Sequence, residues 1–157
     1  MAVRRQVAAS YREQVLHDPL RQALDRSGRT LGSGGDSDLA LCGFALGLGA
    51  GRFPDLELTH LISAQRLTLN YIERLFEGFG YSSIILTAIH DTLKWDQKRY
   101  PQLFKKSKFR IILLGFLMLA LRKSRAERRI KLAEERGRWA ALDKLESLGD
   151  FRNLIHS

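Results

Sequence analysis

The sequence has a single cysteine, three prolines and no hydrophobic run near the length that crosses a membrane. Cys42 cannot form a disulfide within the chain and lies in no metal-binding pattern, so we expect a small buried thiol, which fits a reducing compartment. The N-terminal residues MAVRRQVAAS lack the apolar core that defines a signal peptide. The apolar run at residues 111–121 is about half of the roughly 20 residues that a transmembrane helix needs.

A phosphate-binding loop is also missing. The glycine pattern GLGAGR at residues 47–52 follows a predicted helix instead of a strand and does not open a helix. The structural context that a dinucleotide-binding loop requires is therefore absent.

The net charge of +9 comes from one part of the chain. Residues 1–60 hold seven Lys/Arg and seven Asp/Glu, and residues 61–98 hold four of each. Residues 99–138 hold thirteen basic and three acidic residues, whereas the last nineteen hold two and three. This distribution predicts a local electrostatic function for residues 99–138. We expect no nucleic-acid partner, because this segment lacks interleaved aromatic residues.

Periodicity and turn residues predict a mainly helical chain with two short strands. The predicted elements are, in order: a short N-terminal strand in MAVRR, a helix in residues 6–18 ended by Pro19, a helix over 36–47, a short strand in RFPDLELTHLI at 52–62, a helix over 69–77 capped by Thr68, a break at GFGYSS over 78–83, a helix over 84–95, and a charged helical stretch over 122–148.

Two aspartates at the N-terminus of the predicted helix over 36–47 allow two interpretations. In the structural interpretation, Asp36 is the N-cap and Asp38 faces the positive end of the helix dipole from the first turn. In the functional interpretation, Asp36 is a general base next to a glycine-rich loop that lets a substrate approach the backbone. The two roles are compatible only if one carboxylate oxygen remains free.

The segment 104–129 places an apolar centre between two clusters of Lys and Arg. This pattern is typical of a helix that lies in the interface of an anionic membrane. The alternative is a buried core helix with solvated, charged ends.

The opening MAVRR and the run from Ser33 to Ser83, SGGDSDLALCGFALGLGAGRFPDLELTHLISAQRLTLNYIERLFEGFGYSS, together resemble the C-terminal part of bacterial family 2 glycosyltransferases of the GT-A fold. Such enzymes show an acidic loop similar to S-G-E-D-x-D-L, a helix ending in a G-x-G turn, an FP-L-L-THLI pattern, a nearby arginine and a tyrosine-containing helix. The resemblance covers roughly residues 1–86.

The resemblance implies an inverting enzyme that transfers a sugar from a nucleotide-sugar to a polysaccharide or glycolipid acceptor. Asp36 then matches the catalytic base, Asp38 the second acidic residue of the acceptor loop, and His60 a histidine near the donor diphosphate. Arg66 would contact the leaving diphosphate. The family uses a divalent metal, Mg²⁺ or Mn²⁺, for which His60 is the candidate ligand here. Gly35 stands where the family has a glutamate, so the acidic pair is incomplete.

The implied fold class is α+β, predominantly helical: the C-terminal part of a GT-A-like α/β domain at residues 1–98, followed by a basic helical region at 99–157. The family's N-terminal nucleotide-binding half is missing, so we expect an inactive chain unless a partner chain supplies that half. A truncated gene or a misplaced start at Met1 would give the same picture. The alternative function is a membrane-peripheral interaction protein that uses the basic segment. Either function predicts a cytoplasmic location at the inner face of the cell membrane.

Overall fold

The computed structural model describes residues 2–25, 31–51, 55, 57–90, 112–113, 117–118 and 124–147. Its helices are α1 (Arg5–His17), α2 (Pro19–Gln22), α3 (Gly35–Ala45), α4 (Leu69–His90) and α5 (Arg125–Ser147). A short 3₁₀ turn, Ala64–Leu67, precedes α4, and residues 112–113 and 117–118 are also helical.

Local signals set most of the helix ends. Asp18 adopts an extended conformation because the following proline disfavours the helical one, so α1 ends at His17. The Asp18 carboxylate then accepts a hydrogen bond from the amide of Leu20 at 2.8 Å and caps α2. At the end of α3, Gly47 takes a left-handed conformation with φ of +73°. The amide of Leu48 closes this end by donating to the carbonyl of Gly43, as in a Schellman motif.

Side chains also cap the two long helices. The Thr68 hydroxyl accepts a hydrogen bond from the amide of Tyr71 at 3.3 Å, which confirms the predicted cap of α4. At α5, the amide of Ser124 donates to the Glu127 carboxylate at 2.9 Å, and the amide of Glu127 donates to the Ser124 hydroxyl at 3.2 Å. This reciprocal arrangement is a capping box.

Helices α4 and α5 run parallel and pack closely. Glu73 near the start of α4 contacts Arg129 near the start of α5, and Glu77, one turn later, contacts Arg136. The glycines at the crossing explain the short distance between the backbones. A Cβ atom on Gly137 would collide with the carbonyl of Glu77, and one on Gly80 would collide with the carbonyl of Glu134. Only glycine fits at these two positions.

The hydrophobic core lies where α2 and the turn after it meet the C-terminal halves of α4 and α5. Its buried residues are Leu20, Leu24, Ile85, Ala88, Ala141 and Leu145. Residues 31–34 cross α4 at its glycines, and the amide of Ser33 donates to the Ser82 hydroxyl at 3.1 Å. Cys42 is buried between α1 and α3, as predicted, and accepts a hydrogen bond from the Gln14 side-chain amide at 3.2 Å.

The expected α/β part of the fold is wrong. Helix accounts for 75% of the described residues, and none of them forms a strand, whereas a GT-A domain requires a central sheet. The N-terminal strand is wrong because α1 already begins at Arg5. In the second predicted strand, residues 57–62 are exposed and irregular, while residues 52–54 and 56 lie outside the described part. Alternating leucines without a partner strand do not form a sheet.

The predicted break at residues 78–83 is also wrong, because α4 continues through it from Leu69 to His90. Its glycines allow close packing instead of a turn: Gly78 lies against the backbone of residues 31–32, and Gly80 lies against α5. The last part of the predicted helix over 84–95 and the domain boundary at residue 98 lie outside the described residues. That boundary stays a prediction, although α5 shares its core with residues from the first part of the chain.

Candidate functional site

A buried carboxylate joins three helices at one end of the molecule. Asp38, in the first turn of α3, has 0% of its surface exposed. Its Oδ1 atom lies 2.5 Å from Nη1 of Arg21 on α2 and 2.5 Å from Nε2 of His90, the last residue of α4. The guanidinium donates one of these hydrogen bonds, and the imidazole donates the other when Nε2 carries a proton. We call these three residues the Asp38 cluster.

The turn between α1 and α2 holds Arg21 in place. The Arg21 Nε atom lies 3.4 Å from the carboxylate of Asp18, which also caps α2. The Arg21 side chain is itself largely buried, so its charge is matched by two carboxylates instead of by water. A buried charge needs such partners, because the transfer of an ion from water to the protein interior costs on the order of several kcal/mol.

Tyr11 of α1 adds a hydroxyl group beside this cluster. Burial, followed by the nearby Asp38 and Asp25 carboxylates, raises the pKa of Tyr11 to about 12, and Arg21 opposes the shift. Neither the Tyr11 hydroxyl nor Oδ2 of Asp38 forms a hydrogen bond of good geometry with the residues that the structure describes, although both atoms are buried. The hydroxyl still lies close enough to Asp38 for a weak hydrogen bond to it to add to the raised pKa of Tyr11.

Asp36 lies apart from this cluster, on the surface. Gly34 and not Asp36 is the N-cap residue of α3, and the Asp36 carboxylate accepts a hydrogen bond from the amide of Ser37 at 2.8 Å. Asp36 borders an open depression of about 390 Å³, which is lined by Asp25, Gly32, Ser33, Gly35 and Asp36. A Cβ atom at position 35 would collide with the Asp25 carboxylate, so a larger residue there requires this flexible side chain to move. The role of Asp36 as a base stays a prediction.

The other predicted site residues lie on exposed, irregular chain. His60 is in the segment before the 3₁₀ turn, and Arg66 is within that turn. No contact between described residues joins either of them to Asp36 or Asp38. Among the described residues, no three His, Cys, Asp or Glu side chains are placed to hold a metal ion. His60 therefore does not fit a metal centre with the partners described, and its binding roles and that of Arg66 stay predictions.

Sequence reasoning missed Arg21, His90 and Tyr11 as partners of Asp38. They lie 17, 52 and 27 residues away along the chain, and no local pattern marks them. The one available signal was Asp38 itself, a charged residue in the apolar face of a short helix.

The described part of the segment 104–129 shows an outward apolar surface. Ile112, Leu113 and Leu117 are 59%, 55% and 51% exposed, whereas Met118 is buried at 7%. We call the first three residues the apolar patch. Large hydrophobic side chains with this exposure, close together in sequence, are typical of an interaction site when charged residues surround them.

The basic residues of α5 are mostly paired within the protein. Arg129 donates two hydrogen bonds of 2.6 Å to Glu73, which lowers the pKa of Glu73 and raises that of Arg129. Lys131 and Arg138 both contact Glu134, and Arg136 contacts Glu77. In total, residues 125–147 carry seven Lys/Arg and five Asp/Glu. The surplus of positive charge therefore lies mainly before α5.

Comparison with known proteins gives no family for the chain. No protein-family model matches it, and neither the curated proteins nor the solved structures contain a match. The glycosyltransferase resemblance thus gains no support from these comparisons.

Proposed function

We propose that this chain is a peripheral membrane-binding protein whose segment 104–129 contacts the surface of an anionic bilayer. The observation that carries this proposal is the apolar patch. A half-exposed side chain that enters the bilayer interface loses contact with water, which is favourable by about 25 cal/mol per Å² of apolar surface.

The charge around the patch supports the same function. Residues 99–123 hold seven Lys/Arg and no Asp/Glu, so no acidic group within this stretch neutralises them. Each Lys or Arg near an anionic surface adds about 1 kcal/mol of attraction. Apolar insertion and basic attraction together provide the two signals that stable peripheral binding needs.

Spanning is a different mode of membrane association. None of the helices in the described part of the chain is long and apolar enough to cross a bilayer. We propose a contact in the plane of the interface, because the apolar run at residues 111–121 has about half of the roughly 20 residues that a spanning helix needs.

The test is sedimentation with vesicles of phosphatidylcholine, with and without phosphatidylserine. We expect binding only to the vesicles with phosphatidylserine, and weaker binding as salt is raised, because salt screens exposed charges. Leu113→Gln removes part of the patch and should weaken binding by about three- to tenfold, the effect of roughly 0.7–1.4 kcal/mol of lost burial.

Leu46→Gln is the matched control, because Leu46 is also exposed but lies at the end of α3, outside the segment. It should bind like the unmodified protein. Equal binding to both kinds of vesicle, or an equal loss in both variants, would contradict the proposal.

The glycosyltransferase activity, with its nucleotide-sugar, its glycan acceptor and the divalent metal, stays a prediction from the resemblance. No contact among the described residues favours it over the membrane function. The same holds for a partner chain that would supply the missing half.

A further inference from the structure

The three most exposed large hydrophobic side chains among the described residues all lie in one segment, residues 57–67. Leu58, Leu61 and Leu67 are 88%, 86% and 66% exposed, and Ile62 is also exposed. Every residue of this segment is on the surface, and we call it the exposed loop. Apolar side chains grouped in this way add nothing to the core and are typical of an interaction site.

The exposed loop leads directly into the start of α4. Its last four residues form the 3₁₀ turn Ala64–Leu67. The start of α5 lies beside the start of α4, because Arg129 contacts the side chains of Asn70 and Glu73. The exposed loop and the starts of both helices therefore share one end of the helix pair. With a rise of 1.5 Å per residue, the length of α4 places this end about 32 Å from His90.

Positive charge prevails at this end of the helix pair. Residues 57–74 and 124–129 together hold five Arg and three Glu. Two of these glutamates already accept hydrogen bonds from the protein itself. Arg66 and Arg125 are exposed and form no ion pair with another described residue. Exposed leucines beside unpaired arginines complement a bilayer with anionic headgroups.

We infer that the exposed loop is a second membrane-contact element, whose leucines enter the interface of an anionic phospholipid bilayer while Arg66 and Arg125 bind the headgroup phosphates. This inference rests on the proposed function, because it needs a protein that binds such a bilayer. Residues 57–62 form no backbone hydrogen bond within the described part of the chain. Their amides and carbonyls stay at the hydrated level of the headgroups, and only the side chains reach the acyl chains, because unpaired backbone is excluded from hydrocarbon.

Sedimentation with phosphatidylserine-containing vesicles tests the leucines. We expect Leu61→Gln to weaken binding by about three- to tenfold, because its side chain has nearly all of its apolar surface left to bury. Leu46→Gln is the matched control and should bind like the unmodified protein. Both side chains are exposed, so neither substitution disturbs the core, and circular dichroism confirms that both variants are folded.

A dye attached at position 61 reports insertion directly. Leu61→Cys is labelled with NBD, whose emission rises in apolar surroundings, and Leu46→Cys is labelled as the control. Cys42 is buried, and the unmodified protein treated with the same reagent gives the background. We expect the emission at position 61 to rise with phosphatidylserine vesicles and the emission at position 46 to stay constant.

The arginines are tested by charge removal. Arg66→Gln should weaken vesicle binding by about two- to fivefold, since one basic residue near the surface contributes about that factor. Arg12→Gln is the control, because Arg12 is exposed next to Tyr11, at the end of the molecule that holds the Asp38 cluster. An equal loss in both variants would show that overall charge and not this end binds the headgroups, which contradicts the inference.

The outcomes separate this inference from the proposed function. If the protein binds vesicles while Leu61→Gln binds normally and the dye at position 61 does not respond, the inference is overturned and the proposed function stands. If Leu61→Gln loses binding and Leu113→Gln does not, the exposed loop is the membrane contact and the apolar patch is not. If no vesicles bind and light scattering shows a dimer that Leu61→Gln dissociates, the loop binds a second copy of the chain, and both proposals fail.

Discussion

A single carboxylate, that of Asp38, holds α2, α3 and the end of α4 together. Its partners differ in kind: the guanidinium of Arg21 always carries a charge, and the imidazole of His90 serves as a hydrogen-bond partner. The three groups leave little room for a substrate at Asp38, because its carboxylate has no exposed surface. In this conformation, Asp38 connects structural elements, and its acceptor-binding role stays a prediction of the resemblance.

The first prediction concerns this residue. Asp38→Asn should lower the free energy of unfolding by about 3–5 kcal/mol, because it leaves Arg21 buried without a full counter-charge. Guanidinium unfolding measures the change. Asp36→Asn is the matched control, since Asp36 is exposed two residues away, and it should change stability by less than about 0.5 kcal/mol. Similar values for the two variants would contradict the structural role of the cluster.

Neither the burial of Asp38 nor its partners could be read from the sequence. A carboxylate in the first turn of a helix is commonly exposed and stabilised by the helix dipole, which is what Asp36 does here. The difference between the two aspartates comes from Arg21 of α2 and His90 of α4, whose side chains reach Asp38. Sequence periodicity describes one helix at a time and carries no information on which helix will cover it.

The secondary-structure elements divide into those with local signals and those without. The first helix, α3 with its glycine at the C-terminal end, and the Thr68 cap were predictable because the proline, glycine and threonine that set them are adjacent in sequence. The glycines of α4 led to the wrong prediction of a break at residues 78–83. Gly78 packs against the backbone of Leu31 and Gly32, 46 or more positions earlier, and Gly80 packs against Glu134 of α5, 54 positions later, so neither contact is visible in the local sequence.

At the level of helix pairs, we predict that the crossing of α4 and α5 tolerates no side chain at its centre. Gly137→Ala should destabilise the protein by about 1–3 kcal/mol, because its methyl group would collide with the carbonyl of Glu77. Urea unfolding measures the loss. Gly43→Ala in α3 is the control: its Cβ would meet only the methyl groups of Val7 at 3.9 Å, and the higher helix propensity of alanine should raise stability by up to about 1 kcal/mol. The same loss in both variants would show that alanine itself, and not the crossing, is the cause.

For the molecule as a whole, the tyrosines predict a loss of stability in alkali. Burial and the nearby carboxylates raise the pKa of Tyr11 to about 12, and burial also raises the pKa of Tyr81. A folded-state pKa above the unfolded value of about 10 means that the fold favours the neutral phenol. The resulting stability is complete below pH 10 and is lost as the pH rises from 10 towards 12.

Urea unfolding between pH 8 and 12 measures this loss, together with the ultraviolet absorbance of the phenolate. Tyr11→Phe keeps the ring and removes the ionisable hydroxyl, so its stability should fall less steeply above pH 10. Lysines lose their charge in the same range, and comparison with Tyr11→Phe separates the two effects because both proteins share all lysines. Identical pH profiles would mean that Tyr11 ionises as freely in the folded protein as in the unfolded chain.

The parallel arrangement of α4 and α5 also affects how the protein folds while it is made. The contact between Glu73 and Arg129 cannot form until Arg129, 56 residues later, has been synthesised. At roughly 5–20 residues per second, the ribosome needs about 3–11 seconds to supply that length. During this interval the side of α4 that carries Gly80 has no partner helix. The nascent chain is then most exposed to chaperones and to other unfinished chains, so synthesis speed between residues 73 and 129 bears directly on the yield of folded protein.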